Sequence, residues 1–301
     1  MQRMAKRILI GAILIALVCL VLAADWKLQE ARVPRFRLAP DREVVLDGAP
    51  LTVVVILLIA AGYLELARLC AGAGLTVFRL AGLPASILIG SLPFWRQAMD
   101  PASAGAVLPV VLALTLMALF AAQLRRRRTD GAIGNVASSV LAVAYVGVCA
   151  GVALDIRIRF GLGAFVLFVA VVKATDIGAY FVGSAAGRHK MIPWLSPGKS
   201  WEGLAGGLVT AAAVGAALAA GLNALPGGGA HVELGPAGGA AFGAVTGLFG
   251  QVGDLCESAL KRAAGAKDSA AMLPEFGGVL DIVDSPLLAA PVAYVLLAAA
   301  G

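Results

Sequence analysis

Runs of about twenty apolar residues recur along the whole chain. About nine segments can be drawn, near 8–24, 51–71, 77–95, 104–122, 132–154, 161–183, 203–222, 236–255 and 283–301. A helix rises about 1.5 Å per residue, so about 20 residues cross roughly 30 Å of hydrocarbon. Charges between the runs are few: 60% of the 301 residues are hydrophobic and 14% are charged, where a soluble domain carries about a quarter charged residues. So few charges cannot cover a water-facing surface. Within a bilayer every backbone polar group needs an internal partner, which helices supply. The expected fold is therefore all-α, a polytopic integral membrane protein with about nine transmembrane helices.

The net charge of +6 suits membrane topology and contact with anionic lipid or phosphate. No basic stripe interleaved with aromatics suggests base stacking, so no nucleic-acid partner is expected. Cys19, Cys70, Cys149 and Cys256 stand far apart without a CxxC pair, which implies neither a disulfide framework nor a zinc site. The first segment follows Arg3, Lys6 and Arg7 and lacks an A-x-A site, so it reads as a signal-anchor rather than a cleaved peptide. Lys/Arg bias places the amino terminus and the loops holding Arg125 to Arg128 and 188–199 in the cytoplasm. It places 223–235, which has no Lys or Arg, outside. Loop 25–50 is the exception: it falls outside with five basic residues, offset by five acidic ones.

Ionisable residues inside or beside membrane segments are expensive and usually line a cavity or pathway. They form three clusters. Lys173, Asp176 and Tyr180 follow one another along a helix face, a spacing that equally suits a self-neutralising Lys173–Asp176 pair. Residues 188–203, RHKMIPWLSPGKSWEG, hold Arg188, His189, Lys190, Ser196, Lys199 and Ser200 between the helix breakers Pro193 and Pro197. Arg188 and Lys190 suit an ordinary basic loop, whereas the tight S-P-G-K-S run suits phosphate contact. In residues 253–286, Asp254, Glu257, Ser258, Lys261 and Arg262 draw one polar helix face. Lys267 and Asp268 follow, and Asp281 and Asp284 sit one turn apart among apolar residues. A Glu257–Lys261 salt bridge would explain the helix face but not those two aspartates. Hard oxygen ligands suit Mg²⁺, and the neighbouring cations suit phosphate.

Ser258, Lys261, Arg262, Lys267, Asp268, Leu273, Pro274, Gly277, Gly278, Asp281, Asp284 and Ser285 resemble, in register, the carboxyl-terminal signature of the phosphatidate cytidylyltransferases (CDP-diacylglycerol synthases). The stretch TDIGAYFVGSAAGRHKMIPWLSPGKSWEG resembles a second conserved stretch of that family. The likeness covers about 175–290. On it, 1–160 is a set of amino-terminal transmembrane helices and 161–301 a catalytic transmembrane region with its active site on the cytoplasmic side of the cell inner membrane. The resemblance implies transfer of CMP from CTP to phosphatidate, giving CDP-diacylglycerol and pyrophosphate for phospholipid synthesis. It implies catalytic roles for Asp254, Lys261, Arg262, Lys267, Asp268, Asp281 and Asp284, with Mg²⁺ held by Asp254, Asp281 and Asp284. A monovalent cation such as K⁺ could share that site. Asp176, Ser196, Lys199 and Ser258 would bind substrate. Partners implied are CTP, phosphatidate and membrane lipids, and a homodimer stays open as the assembly. Glu275, Phe276 and Ile282 stand where the family usually has Gly, His and Arg. Ile282 removes a cation, and no nearby cation is expected to replace it. All acidic positions are retained, so an active enzyme is expected. A CTP-dependent polyprenol or phytol kinase, a transporter and an inactive scaffold stay open as alternatives.

Overall fold

The computed structural model describes residues 2–30, 36–39, 42–44, 46–224, 234–270 and 277–301. Its helices are α1 (Gln2–Glu30), α2 (Ala49–Gly72), α3 (Arg79–Arg96), α4 (Pro101–Arg125), α5 (Ala132–Ala142), α6 (Cys149–Ala186), α7 (Trp201–Ala224), α8 (Pro236–Ala263) and α9 (Leu280–Ala300). A π-helical segment, Val143–Val148, joins α5 to α6. Two small antiparallel hairpins stand between helices: β1 (Phe36–Ala39) with β2 (Arg42–Val44), and β3 (Lys190–Ile192) with β4 (Ser196–Ser200). The all-α reading therefore holds for every long element, and the hairpins are loop structure.

Among the described residues six stretches are long and apolar enough to cross a membrane: Gly11–Leu28, Ala49–Gly72, Ser103–Arg125, Ala132–Ala186, Trp201–Leu222 and Leu280–Ala300. The protein is thus a multi-pass helical membrane protein. The difference from nine segments has local causes. α3 has arginines at both ends and Pro84 and Pro93 within it. α8 ends in the polar face 251–262. Ala132–Ala186 has 55 residues, about 80 Å of helix, well over twice what one crossing needs. It is interrupted at Gly161, whose φ of 86° and ψ of 170° are not helical, at the first residue of the second of the two segments drawn from the sequence.

Two core clusters hold the helices together. One gathers Ile59, Tyr63, Leu66, Val143, Val146, Leu154, Leu280 and Leu287 from α2, the π segment, α6 and α9. The other gathers Phe168, Val171, Val172, Ala211, Phe242, Ala289 and Ala290 from α6 to α9. The first cluster crosses residue 160, so helices from both parts of the chain share one core.

The loops sort to two ends. At one end Arg157, 1% exposed, ion-pairs with Asp25 and Asp47, each at 2.5 Å, and Gln97 donates to the Asp47 carbonyl. A buried guanidinium is tolerable only with such partners. At the other end Arg126 meets Thr76, Thr76 meets Asn135, and Gly72 abuts Ala264. Residues 225–233 of the lysine- and arginine-free loop lie outside the described residues.

Candidate active site

The site sits at the Ala264 end, where α6, α7, α8 and α9 pack together. Three features of the chain build it. The polar stripe of α8 carries Gln251, Asp254, Glu257, Ser258 and Lys261 inward. The β3–β4 hairpin, closed by Lys190 opposite Ser200 and Ile192 opposite Ser196, sets Lys199 beside α8. Glu202, in the first turn of α7, fastens the hairpin by accepting the backbone N–H groups of Arg188 and His189 at 3.2 Å and meeting His189 Nδ1 at 2.5 Å. The third feature is the close approach of α9 to α8. A Cβ at Gly253 would stand 2.7 Å from the Asp284 carbonyl oxygen, so only glycine lets the two backbones meet here.

At that crossing Asp254, Glu257 and Asp284 each place a carboxylate oxygen within 4.8 Å of the others. Glu257 is fully buried and Asp284 nearly so. Three carboxylates this close repel one another unless a cation or a proton offsets them. The donor set is all oxygen, from two helices, and fits a hard divalent ion such as Mg²⁺.

Lysines ring the acids. Lys199 Nζ is 2.8 Å from Asp254 Oδ2 and donates to the Gln251 carbonyl at 3.3 Å. Lys261 pairs with Glu257 and, at 2.6 Å, with Asp281 Oδ1. Lys173 Nζ lies 3.5 Å from Asp176 and donates to the Ile282 carbonyl at 3.0 Å. Gln251 Nε2 donates to Asp176 Oδ1 at 2.9 Å. The three sequence clusters thus converge on one place, although 81 positions separate Lys173 from Asp254.

Several expectations change in detail. The sequence reading left Asp281 and Asp284 with no cation near Ile282. In the structure Lys173 from α6 bonds the Ile282 carbonyl and Lys261 neutralises Asp281. The two aspartates also divide their work. Asp284 joins the acidic group, whereas Asp281 accepts from Lys261, from Ser269 through both N–H and Oγ, and from Gly278 N–H. Glu257 takes the third acidic place. The expected Glu257–Lys261 salt bridge is present and extends to Asp281. Tyr180 stays apart, 71% exposed and edge-on to Phe181. Ser258 Oγ is 3.4 Å from Asp254. Arg262 turns to the Ala266 carbonyl and, with Lys267 and Asp268, stays exposed at the rim. Ser196 is half-buried at the start of β4. Leu273, Pro274, Glu275 and Phe276 lie outside the described residues.

Two participants escaped the sequence reading. Gln251 bridges α8 to Asp176. Glu65, fully buried in α2, accepts the N–H groups of Val279 and Leu280 at 2.9 and 2.8 Å and lies 3.1 Å from Ser269 Oγ. A lone acid inside the apolar run 51–71 was the signal available for it.

Buried carboxylates with lysines against them, gathered at one end of the helices, define a multi-pass helical membrane protein with a charged site among its described residues. The chain belongs to the cytidylyltransferase family, whose sequence model matches residues 43–300. It is 32% identical over 264 residues to a phosphatidate cytidylyltransferase of Bacillus subtilis, covering 85% of this chain and 91% of that protein. A phosphatidate cytidylyltransferase of Brucella suis is 44% identical over 135 residues, 45% of this chain and 47% of that protein. One of Mycobacterium bovis is 36% identical over 173 residues, 54% of this chain and 52% of that protein.

Proposed function

We propose that the protein is a phosphatidate cytidylyltransferase of the cell inner membrane, transferring CMP from CTP to phosphatidate. The observation that carries the reading is the convergence of Asp254, Glu257 and Asp284 within 4.8 Å, with Lys199 and Lys261 against them, in a chain of this family.

In the reaction an oxygen of the phosphatidate phosphate bonds to the α-phosphorus of CTP. The bond from that phosphorus to the bridging oxygen of the pyrophosphate breaks, and pyrophosphate leaves with the electron pair. The nucleophile is an anion near neutral pH, so no strong base is required, and a Phe at position 276 is compatible with turnover. The protein supplies alignment and charge neutralisation. Asp254 and Asp284, with Glu257 in the place first expected for Asp281, would hold Mg²⁺, which supplies charge neutralisation at the triphosphate. A monovalent cation such as K⁺ is part of the same proposal. Lys261, oriented by Asp281, joins Arg262 and Lys267 in holding the triphosphate and the departing pyrophosphate. Lys199 and Ser196 contact the lipid phosphate or CTP, with Ser258 and Asp268 beside them. Asp176, held by Gln251 and Lys173, borders the substrate side. Ile177, Tyr180 and Phe181, all more than half exposed, continue from Asp176 along α6 and give acyl chains a lateral approach from the bilayer.

With the amino terminus in the cytoplasm, as the Lys/Arg bias reads, nine crossings would set this end on the cytoplasmic side, where CTP is found. The count takes the six apolar stretches, divides Ala132–Ala186 at Gly161, and adds α3 and α8. The reading is tested by expression in a bacterium whose own phosphatidate cytidylyltransferase can be switched off. The parent chain should restore growth and Asp284→Asn should not. Failure of the membrane-inserted parent to restore growth contradicts the reading.

A further inference from the structure

Glu65 is the single acid of α2 and is fully buried. A carboxylate in an apolar helix is costly unless its oxygens are met, and every partner found for it lies some two hundred residues away in sequence. Oε1 accepts Val279 N–H at 2.9 Å, Oε2 accepts Leu280 N–H at 2.8 Å, and Oε2 lies 3.1 Å from Ser269 Oγ. Those two N–H groups belong to the start of α9, where a helix has no carbonyl of its own to satisfy them, and α9 has no side-chain cap from its own sequence. The negative charge also complements the positive end of the helix.

The same turn is built around this carboxylate. A Cβ at Gly278 would run into Ser269 Oγ and Glu65 Oε2 and would stand 2.7 Å from Glu65 Cδ. Gly277 has a φ of 83°, which favours glycine. Ser269 Oγ, 2.7 Å from Asp281 Oδ2 as well as 3.1 Å from Glu65, has one hydrogen to donate, and the shorter contact is to Asp281. Asp281 follows Leu280 directly, and Asp284 lies one turn on.

We infer that Glu65 is a positioning residue for cytidylyl transfer: from α2 it fixes the Gly277–Leu280 turn, so that α9 presents Asp284 to Asp254 and Asp281 to Lys261. The inference rests on the site assigned above, and it makes a helix of the amino-terminal part a working component of that site.

The test uses the full-length protein in detergent, with Glu65→Gln, Glu65→Asp, Ser269→Ala and Asp284→Asn in parallel. Glu65→Gln keeps size and one acceptor oxygen but turns an amide N–H₂ toward a backbone donor. Hydrogen exchange of the peptide 277–285 should speed up in Glu65→Gln while the rest of α2 keeps its protection. Its kcat should fall about ten- to a hundredfold, as when an outer partner of a ligand is lost, with KM for CTP held within about threefold. Ser269→Ala, which removes the bond to Asp281, is the comparison. Glu65→Asp, which keeps the charge but shortens its reach to the Val279 and Leu280 N–H groups, should show both effects to a smaller degree and decides the matter if Glu65→Gln does not fold. Parent-like exchange at 277–285 with parent-like kcat in the folded Glu65 variants overturns the inference. So does a loss of protection across α2 with kcat per folded molecule unchanged, which would make Glu65 a buried structural acid. If Asp284→Asn also keeps parent activity, the site assignment has failed and the inference with it. If only Asp284→Asn loses activity, the site stands and the role of Glu65 is wrong.

Discussion

Asp284→Asn removes one negative charge from the acidic group while keeping the side-chain shape and an oxygen for the Ser285 N–H, now accepted at 2.6 Å. Like charges at the 4.8 Å limit of this group repel by about 3–4 kcal/mol at an effective dielectric of about 20. Without a cation the substitution relieves part of that repulsion, so the metal-free variant should unfold at the parent's temperature or above it. With a cation the same charge is an attraction, so Mg²⁺ should raise the unfolding temperature of the parent more than that of the variant. Turnover should fall at least about a hundredfold, the scale of losing one electrostatic partner of a transition state, and should partly recover at high Mg²⁺. Asp281→Asn should be as damaging, but high Mg²⁺ should not restore it, because Asp281 orients Lys261, Ser269 and Gly278. The assay is incorporation of label from α-labelled CTP into chloroform-soluble lipid, beside thermal unfolding with and without Mg²⁺. Near-parent turnover of Asp284→Asn at limiting Mg²⁺, or a metal-free variant markedly less stable than the parent, would mean that Asp284 is no metal ligand.

Activity should require Mg²⁺ or Mn²⁺ and fail with Ca²⁺, which is larger and holds looser geometry than the tight octahedron of Mg²⁺ at about 2.1 Å; full turnover in excess EDTA would rule out a metal mechanism. A cysteine at Gly198, exposed in β4, in a background with the native cysteines replaced, should react with an impermeant thiol reagent only from the cytoplasmic side. Labelling from outside intact cells would overturn the topology.

The helices were legible where chemistry repeats with the helix. The spacing of Asp254, Glu257, Ser258 and Lys261 forecast the polar face of α8, and the step from Asp281 to Asp284 forecast one turn of α9. Which side of a membrane helix faces its neighbours was not legible, because lipid and core are both apolar. In α2, Leu57 is 63% exposed and Ile59 fully buried, yet both are aliphatic. For the same reason the run 132–186 shows no sequence step at its π segment. The meeting of Lys173, Lys199 and Asp254 depends on how α6, α7 and α8 cross, which spacing along the chain does not encode. Glu65 was hidden for a related reason: its partners lie in the turn before α9, and nothing in the local sequence of α2 names them. The hairpin at S-P-G-K-S was visible only as a helix break at Pro193 and Pro197.

Cytidylyl transfer moves CMP, rather than the terminal phosphate of CTP, to a lipid. Purified protein with Mg²⁺ and phosphatidate is supplied with CTP labelled at the α-phosphate in one reaction and at the γ-phosphate in another. A cytidylyltransferase gives lipid-bound label in the first reaction only, with the γ-label released as pyrophosphate. Lipid-bound label from γ-labelled CTP would mean a lipid kinase, and lipid free of label in both reactions would contradict catalysis by this chain.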